Sequence, residues 1–276
     1  MWKQTIVSGL VLTSVLAGCS SQEDQHSQKV TKPTPIHDQK KEPAKKTIDT
    51  SSWQATNGPA KLPILMYHSI SSGNTLRVPK AEFAKQMKWL HAHDYATLSP
   101  EEAYRVFTEN KKPKKKAVLI TFDDGYGDNF TDALPILKRY HMKATVFMIG
   151  DLIGKHHHLT KQQLQQMADA NISIQSHTMA HQELNTLAPA RQKNEMIRSK
   201  RLFNKLMHQQ TIMLSYPVGR YTDQTVALAQ ATGYKMAVTT HPGIAMKKDG
   251  MQTLPRVRIS PGMSEAAFAG MLKGDQ

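Results

Sequence analysis

Residues 116–126 read KAVLITFDDGY, an apolar and β-branched run that ends in two carboxylates and a glycine. The run is short and stops at Gly125, which favours a buried parallel strand over a helix. In α/β folds, active sites lie at the carboxyl ends of such strands. Because burial strengthens the repulsion between adjacent carboxylates, Asp123 and Asp124 require a cation or a shared proton. Our first hypothesis is therefore a metal site at this strand end.

The chain has 276 residues, is 39% hydrophobic and carries a formal net charge of +14. This length favours one substantial domain with appendages over two domains. A basic excess is compatible with a nucleic acid partner or with an anionic cell surface. The location of the protein decides between these partners.

The N-terminus has the pattern of an export signal. Lys3 precedes an apolar stretch over residues 6–16, which is too short for a transmembrane helix, and residues 16–19 read LAGC. The segment resembles a bacterial lipoprotein signal, which implies a signal peptide over residues 1–18 and lipidation at Cys19. An ordinary secretory signal with an incidental cysteine is the alternative. We expect a protein anchored by lipid to the extracellular face of the cell membrane, without a nucleic acid partner.

Residues 19–58 are rich in Gln, Ser, Thr, Pro and Lys and have almost no apolar residues before Trp53. Such a segment buries too little apolar surface to fold, so we predict a disordered tether. The folded domain is then predicted over residues 59–276.

Strand and helix patterns alternate along this domain. Predicted strands cover residues 62–68, 116–122, 144–149, 172–176, 211–216 and 235–239, and predicted helices cover residues 128–140, 161–170, 189–209 and 223–232. The alternation predicts an α/β fold with a parallel sheet, which is either open or closed into a barrel.

Two further strand ends carry groups that are typical of active sites. His177 and His181 follow the strand at residues 172–176, and their spacing lets two imidazoles share a metal from one side of a helical turn. The pair alone fits a structural role equally well, but its position after a neighbouring strand favours the metal. Residues 214–220 read LSYPVGR, a strand that enters a Pro/Gly turn whose backbone N–H groups could face the same cleft.

The motifs TFDDG (121–125), SHxxxH (176–181) and YPxG (216–219), each after a strand, resemble the polysaccharide deacetylases of the NodB-homology, carbohydrate esterase family 4 type. Residues 66–68 and 254–259 resemble the branch that contains poly-N-acetylglucosamine deacetylases. The resemblance implies a distorted (β/α) barrel, with the NodB-homology core at about residues 116–276. It also implies a monomeric hydrolase of carbon–nitrogen, non-peptide bonds that deacetylates N-acetylglucosamine-containing polysaccharide.

Within that family, the matching positions have distinct roles. The resemblance makes Asp124, His177 and His181 the ligands of one divalent metal, most often Zn²⁺, with Co²⁺, Ni²⁺ and Mn²⁺ as alternatives. It makes Asp123 the catalytic base and the backbone N–H of Val218 the donor to the oxyanion. The residues that we expect to contact the substrate are Tyr126, Tyr216, Pro217 and Gly219.

The sequence departs from the family at two places. Ser215 stands where the family often has an arginine that orients the base, and we predict that Arg256 supplies this guanidinium as a bidentate partner of Asp123. No late Leu-x-His motif is present, so the general acid would be His241, His68 or protonated Asp123. For His68, a packing role is an equal alternative.

These departures also leave open a surface-tethered sugar-binding module with weak or no turnover. The sequence does not distinguish peptidoglycan from exopolysaccharide as the substrate, or an N-acetyl amide from an O-acetyl ester as the bond that is cleaved. The runs at residues 111–116 and 156–158 are interpreted as a solvated lysine face and a solvated histidine turn.

Overall fold

The computed structural model describes residues 48–272. The predicted signal peptide, Cys19 and most of the predicted tether lie outside the described residues. No helix within residues 48–272 is both long enough and apolar enough to span a bilayer.

In chain order, the strands of the described part are β1 (Gln54–Ala55), β2 (Lys61–Leu62), β3 (Ile64–Tyr67), β4 (Tyr95–Thr97), β5 (Lys111–Lys112), β6 (Lys116–Phe122), β7 (Ala144–Met148), β8 (Ile172–Ser176), β9 (Met213–Ser215), β10 (Met236–Pro242), β11 (Ala245–Met246) and β12 (Leu254–Arg258). The α-helices of the same part are α1 (Lys80–Ala92), α2 (Pro100–Glu109), α3 (Leu134–Arg139), α4 (Lys161–Asp169), α5 (Pro189–Met207), α6 (Asp223–Ala231) and α7 (Glu265–Leu272).

Parallel strands close into a barrel in the order β3, β12, β10, β9, β8, β7 and β6, and pairing of β6 with β3 completes the ring. The barrel is distorted at two joints. Strands β8 and β9 share only the pair Ser176 and Leu214, and the register of β10 against β12 shifts between Val238 and Pro242. The predicted α/β fold with a distorted barrel is therefore confirmed, and the sheet is closed rather than open.

Alternate residues of β6 face opposite sides of the sheet, as the period of two requires. Val118 and Ile120 pack with the surrounding helices, whereas Ala117 and Leu119 belong to a second cluster with Leu254 of β12. Asp123 continues the alternation that begins at Ala117. Asp123 and Asp124 therefore lie directly after the carboxyl end of β6, whose residues from Ala117 onwards are buried.

Helix α2 begins as the sequence predicts. The Ser99 hydroxyl oxygen accepts from the N–H of Glu102, and the Glu102 carboxylate accepts from the N–H of Ser99. Pro100 is the first helical residue. The predicted helix at residues 128–140 is instead interrupted, with a π-turn over Asn129–Ala133 before α3. Pro135 explains the break, because its nitrogen cannot donate to the carbonyl of Thr131.

Packed structure is present on the N-terminal side of the predicted boundary at residue 59. Trp53 packs against the core cluster that contains Leu119 and Leu254, and β1 pairs with β5 through Gln54 and Lys112. The N–H of Thr56 also donates to the Asn110 carbonyl at 3.0 Å. Composition alone gave no sign of that attachment.

Candidate metal and catalytic site

Asp124, His177 and His181 come together at the carboxyl ends of β6 and β8. The Asp124 Oδ1 atom lies 3.4 Å from Nε2 of His177 and 3.5 Å from Nε2 of His181. One potential ligand atom from each residue lies within 4.8 Å of the others. The barrel thus assembles the three residues that the sequence proposed as metal ligands.

A sharp turn separates Asp124 from Asp123. Asp124 and Gly125 both adopt left-handed backbone angles, with φ of 70° and 76°. A Cβ on Gly125 would lie 2.0 Å from the Sδ atom of Met148, so only glycine fits without displacing that side chain. The turn lets two sequence neighbours make different contacts, because the chain reverses direction between them.

The expectation that His177 and His181 share a helical turn is wrong. Residues 177–181 form a loop in which Thr178 and His181 have positive φ values of 64° and 54°. The hydroxyl of Thr178 accepts from the N–H of His181 at 3.1 Å. This local hydrogen bond, rather than a helical ladder, brings the second imidazole back towards the first.

The chemistry of the three donors fits a divalent metal. Nδ1 of His177 lies 2.7 Å from the carbonyl oxygen of Ser215, which can only accept, so Nδ1 carries the proton and Nε2 has a free lone pair. Burial, together with His177, lowers the pKa of His181 to about 4, which keeps that imidazole neutral. Burial opposes ionisation of both Asp124 and His177, but their mutual contact outweighs it, lowering the pKa of Asp124 and raising the pKa of His177. A divalent metal would take the place of the proton between them. Two nitrogens and one carboxylate suit Zn²⁺ and leave coordination positions open.

Glu195 of α5 supports the histidine loop, and the sequence analysis did not identify it. One carboxylate oxygen of this buried residue accepts from the N–H of Met179 at 3.0 Å and from the N–H of Ala180 at 2.9 Å. One turn further along α5, the Ser199 hydroxyl bonds to that of Ser176 at 2.8 Å. A sequence signal did exist, since Glu195 is the only acid in a helix that is otherwise rich in lysine and arginine.

The structure places Arg256 against Asp123 as the bidentate partner that the sequence suggested. Nη1 donates to Oδ1 at 2.8 Å and Nη2 donates to Oδ2 at 2.6 Å. Arg256 is fully buried, and its Nε donates to the Thr239 carbonyl at 2.8 Å. Burial alone would raise the pKa of Asp123, but the guanidinium outweighs it and holds this pKa well below the ordinary range. Asp123 is thus a fixed, ionised carboxylate.

His68 lies on the other side of Asp123, with its Nε2 atom 3.9 Å from Oδ2. The side-chain amide of Asn129 donates to the His68 carbonyl at 2.8 Å, and the Asp128 carboxylate accepts from the N–H of Ile70 at 2.9 Å. Burial lowers the pKa of His68, although Asp123 and Asp124 act in the opposite direction. The π-turn therefore anchors the strand end that carries this histidine.

The turn at residues 216–219 lies directly after Ser215, whose carbonyl holds His177. Val218 is 49% exposed and has a positive φ of 48°, which is a strained conformation for a β-branched residue. Its N–H lies in the first turn of a 3₁₀ helix and has no acceptor within that turn. Gly219, which is buried like Pro217, faces Thr240 so closely that a Cβ would lie 2.1 Å from the hydroxyl oxygen.

The Tyr216 side chain does not face the strand ends, so the predicted substrate contact of this residue would involve its backbone. Tyr216 is fully buried in a cluster with Leu184 and Leu214, and its ring stacks on that of Tyr221 at 5.2 Å. Packing of the turn against α5 and α6 explains this burial. Only the backbone of this residue remains near the strand end.

Two other predicted residues lie at the edges of the strand ends. The half-buried Tyr126 ring stacks on His158 with a centroid separation of 5.3 Å, and burial together with the Asp124 charge raises the pKa of Tyr126. His158 is therefore not a purely solvated residue, whereas His156 and His157 are exposed. His241 is exposed at the end of β10, where its ring lies 5.8 Å from that of Tyr221.

The chain is similar to several proteins that are named as deacetylases. The family model for polysaccharide deacetylases matches residues 110–237. The solved Streptococcus pyogenes deacetylase PplD, in complex with acetate, is 39% identical, with a TM-score of 0.75 over 78% of this chain and 99% of that one. A poly-β-1,6-N-acetyl-D-glucosamine N-deacetylase of Staphylococcus epidermidis is 27% identical over 72% of this chain and 75% of its own length.

A further relative is similar over almost its whole length. The Bacillus subtilis (strain 168) protein YxkH, whose own name places it provisionally among polysaccharide deacetylases, is 56% identical over 94% of this chain and 93% of its own. The chain therefore belongs to the polysaccharide deacetylase family.

Proposed function

We propose that this protein is a metal-dependent enzyme that removes acetyl groups from N-acetylglucosamine units of a cell-wall or extracellular polysaccharide. The observation that carries the proposal is the adjacency of two sites. A His–His–carboxylate cluster lies beside a second carboxylate that Arg256 keeps ionised. The acetate bound to the S. pyogenes deacetylase and the substrate named for the S. epidermidis relative support this assignment.

Asp124, His177 and His181 would hold the metal, with Zn²⁺ first and Co²⁺, Ni²⁺ or Mn²⁺ as alternatives. A divalent cation bound there would polarise the acetyl carbonyl and lower the pKa of water towards neutrality. The Ser215 carbonyl holds the His177 imidazole, and the Glu195 carboxylate holds the backbone of the loop between His177 and His181. The protein's part in metal binding is thus largely preorganised.

Asp123 is the general base. It takes a proton from the water as the water oxygen bonds to the acetyl carbon, and it stays ionised until then because Arg256 stabilises its charge. The guanidinium also fixes both carboxylate oxygens, so proton transfer needs no reorientation of the base. The Val218 N–H is the donor for the negative charge that develops on the acetyl oxygen.

His68 is the general acid, in preference to His241. As the carbon–nitrogen bond breaks, the proton that Asp123 took from the water passes to His68 and from His68 to the departing amine, so that acetate and a free glucosamine amine result. His68 lies 3.9 Å from the base, whereas His241 is exposed beside Tyr221. His68→Gln should lose most of kcat, with His241→Gln unchanged. The opposite pattern would assign the acid to His241.

We further propose that residues 1–18 are removed as a signal peptide and that lipidated Cys19 anchors the protein to the extracellular face of the membrane. The segment that follows would serve as a tether with a reach of about 35 Å, if it behaves as a flexible chain. Its polar composition supports this proposal. The substrate would then be a polymer of the cell wall or its surroundings.

The direct test is acetate release from poly-β-1,6-N-acetylglucosamine, peptidoglycan and acetyl-xylan, measured with wild type and Asp123→Asn. We expect release from at least one N-acetylated polymer, and loss of on the order of a thousandfold or more in the variant. Binding without acetate release from all three would instead support a sugar-binding module. This second candidate is retained because Ser215 stands where the family often has an arginine.

A further inference from the structure

Helix α5 carries basic side chains that neither the fold nor the metal site uses. Arg191, Arg198, Arg201 and Lys205 follow the helical repeat and are all exposed. We call these four residues the α5 stripe. At a rise of 1.5 Å per residue, they span about 21 Å along the helix axis.

No acid neutralises the stripe within residues 48–272. None of its members forms an ion pair with a described aspartate or glutamate. Glu195, the only acid of α5, faces inwards to the histidine loop. Four like charges on one exposed line repel one another, so a polyanion along that line would relieve the repulsion.

The stripe begins beside the metal site. Arg191 donates to the side-chain carbonyl of Gln182 at 3.2 Å, and Gln182 directly follows the metal-site residue His181. From there α5 runs back along the barrel towards the start of β9, because it connects the carboxyl end of β8 to the amino end of β9. A polymer whose sugar occupies the active site could therefore continue along the stripe.

We infer that the α5 stripe binds an anionic glycan that carries phosphate groups along its chain, and that this glycan is the molecule whose N-acetylglucosamine enters the active site. The inference rests on the proposed function and narrows its substrate class. Three of the four residues are arginines, whose planar guanidinium matches phosphate in a bidentate manner.

Other polyanions fit the stripe less well. A membrane surface is favoured by exposed apolar side chains, yet the large apolar residues exposed in the described part are Val218 and Met271, neither of which is on α5. Single-stranded nucleic acid is usually bound with exposed aromatic rings, and the only aromatic residue of α5, Phe203, is buried.

The test measures binding, so turnover does not enter it. The mature chain carrying Asp123→Asn is titrated with fluorescent poly(glycerol phosphate) at several salt concentrations. In this background, the triple substitution Arg198→Gln, Arg201→Gln and Lys205→Gln should weaken binding on the order of tenfold at about 0.1 M salt and flatten the salt dependence. The matched control removes three exposed lysines outside α5, through Lys111→Gln, Lys114→Gln and Lys247→Gln.

The control should bind as tightly as the parent, and an equal loss in both triple variants would overturn the inference. Tighter binding of the parent to phosphatidylglycerol vesicles or to an oligonucleotide of equal charge would overturn it as well. With Asp123 restored, the stripe variant should release acetate from neutral chito-oligosaccharide at the wild-type rate. If neither wild type nor the stripe variant releases acetate, the proposed function fails. The binding comparison still tests whether the α5 stripe binds the phosphate polymer.

Discussion

Asp123 and Asp124 are adjacent in sequence, and yet their surroundings give them different chemistry. Asp123 is clamped by a buried guanidinium, whereas Asp124 faces two imidazoles across a left-handed turn. The sequence was sufficient to nominate both carboxylates, because a paired acid at a strand end is costly without a cation. It could nominate Arg256 only by elimination, since 133 residues separate it from its partner.

Arg256→Lys tests the orienting role at the residue scale. Lysine keeps a positive charge but loses the two-pronged contact, so we expect kcat to fall on the order of tenfold or more with metal affinity nearly unchanged. Arg256 depresses the pKa of Asp123, and weakening that contact raises this pKa towards its ordinary value. The base is then protonated at a higher pH, and the acid limb of the pH–rate profile moves upward. Wild-type kinetics with an unmoved acid limb would leave Arg256 as a structural ion pair.

At the scale of elements, strand ends were predictable and the loops after them were not. The apolar run of β6 and the capping box at Ser99 are local signals, and both are found as expected. The loop at residues 177–181 depends on Glu195, which is 16 residues from Met179 and has no local signature of that contact. Spacing alone therefore predicted a helical turn where the local Thr178–His181 bond and the tertiary bonds to Glu195 together set the backbone.

Glu195→Leu tests whether α5 positions the histidine loop. It leaves the N–H groups of Met179 and Ala180 without their acceptor, at a cost of about 1–3 kcal/mol each. We expect metal affinity to fall about 10–100-fold and these two amides to exchange faster in the metal-free protein. Glu195→Gln is the matched control, because a single oxygen accepts both bonds and glutamine retains one. Unchanged metal affinity in the leucine variant, with only stability reduced, would argue against positioning.

At the scale of the whole molecule, the alternation of strands and helices predicted the fold class, but closure of the sheet depends on the pairing of β3 with β6. That pairing joins segments more than 50 residues apart, which no local pattern reveals. One groove of about 990 Å³ in the described part includes Ile48 and Lys143 and contains none of the predicted site residues. It lies where the strands begin, at the opposite end from the metal site.

Cys19→Ser tests how the whole protein is held at the membrane. The cysteine sulfur is the proposed acceptor of lipid, so Cys19→Ser should block lipidation-dependent processing. We expect palmitate labelling of the expressed protein to disappear. Labelling that persists in Cys19→Ser would contradict the lipid anchor, while leaving the enzymatic proposal untouched.

Acetate release before and after metal removal tests the central claim most directly. The protein is assayed on an N-acetylglucosamine oligomer as purified, after chelation, and after addition of Zn²⁺ or Co²⁺, with His177→Ala/His181→Ala in parallel. We predict that chelation abolishes release, that metal restores it in wild type, and that the double variant neither binds metal nor recovers activity. Undiminished acetate release from the chelated protein, or full metal occupancy in the double variant, would contradict the account.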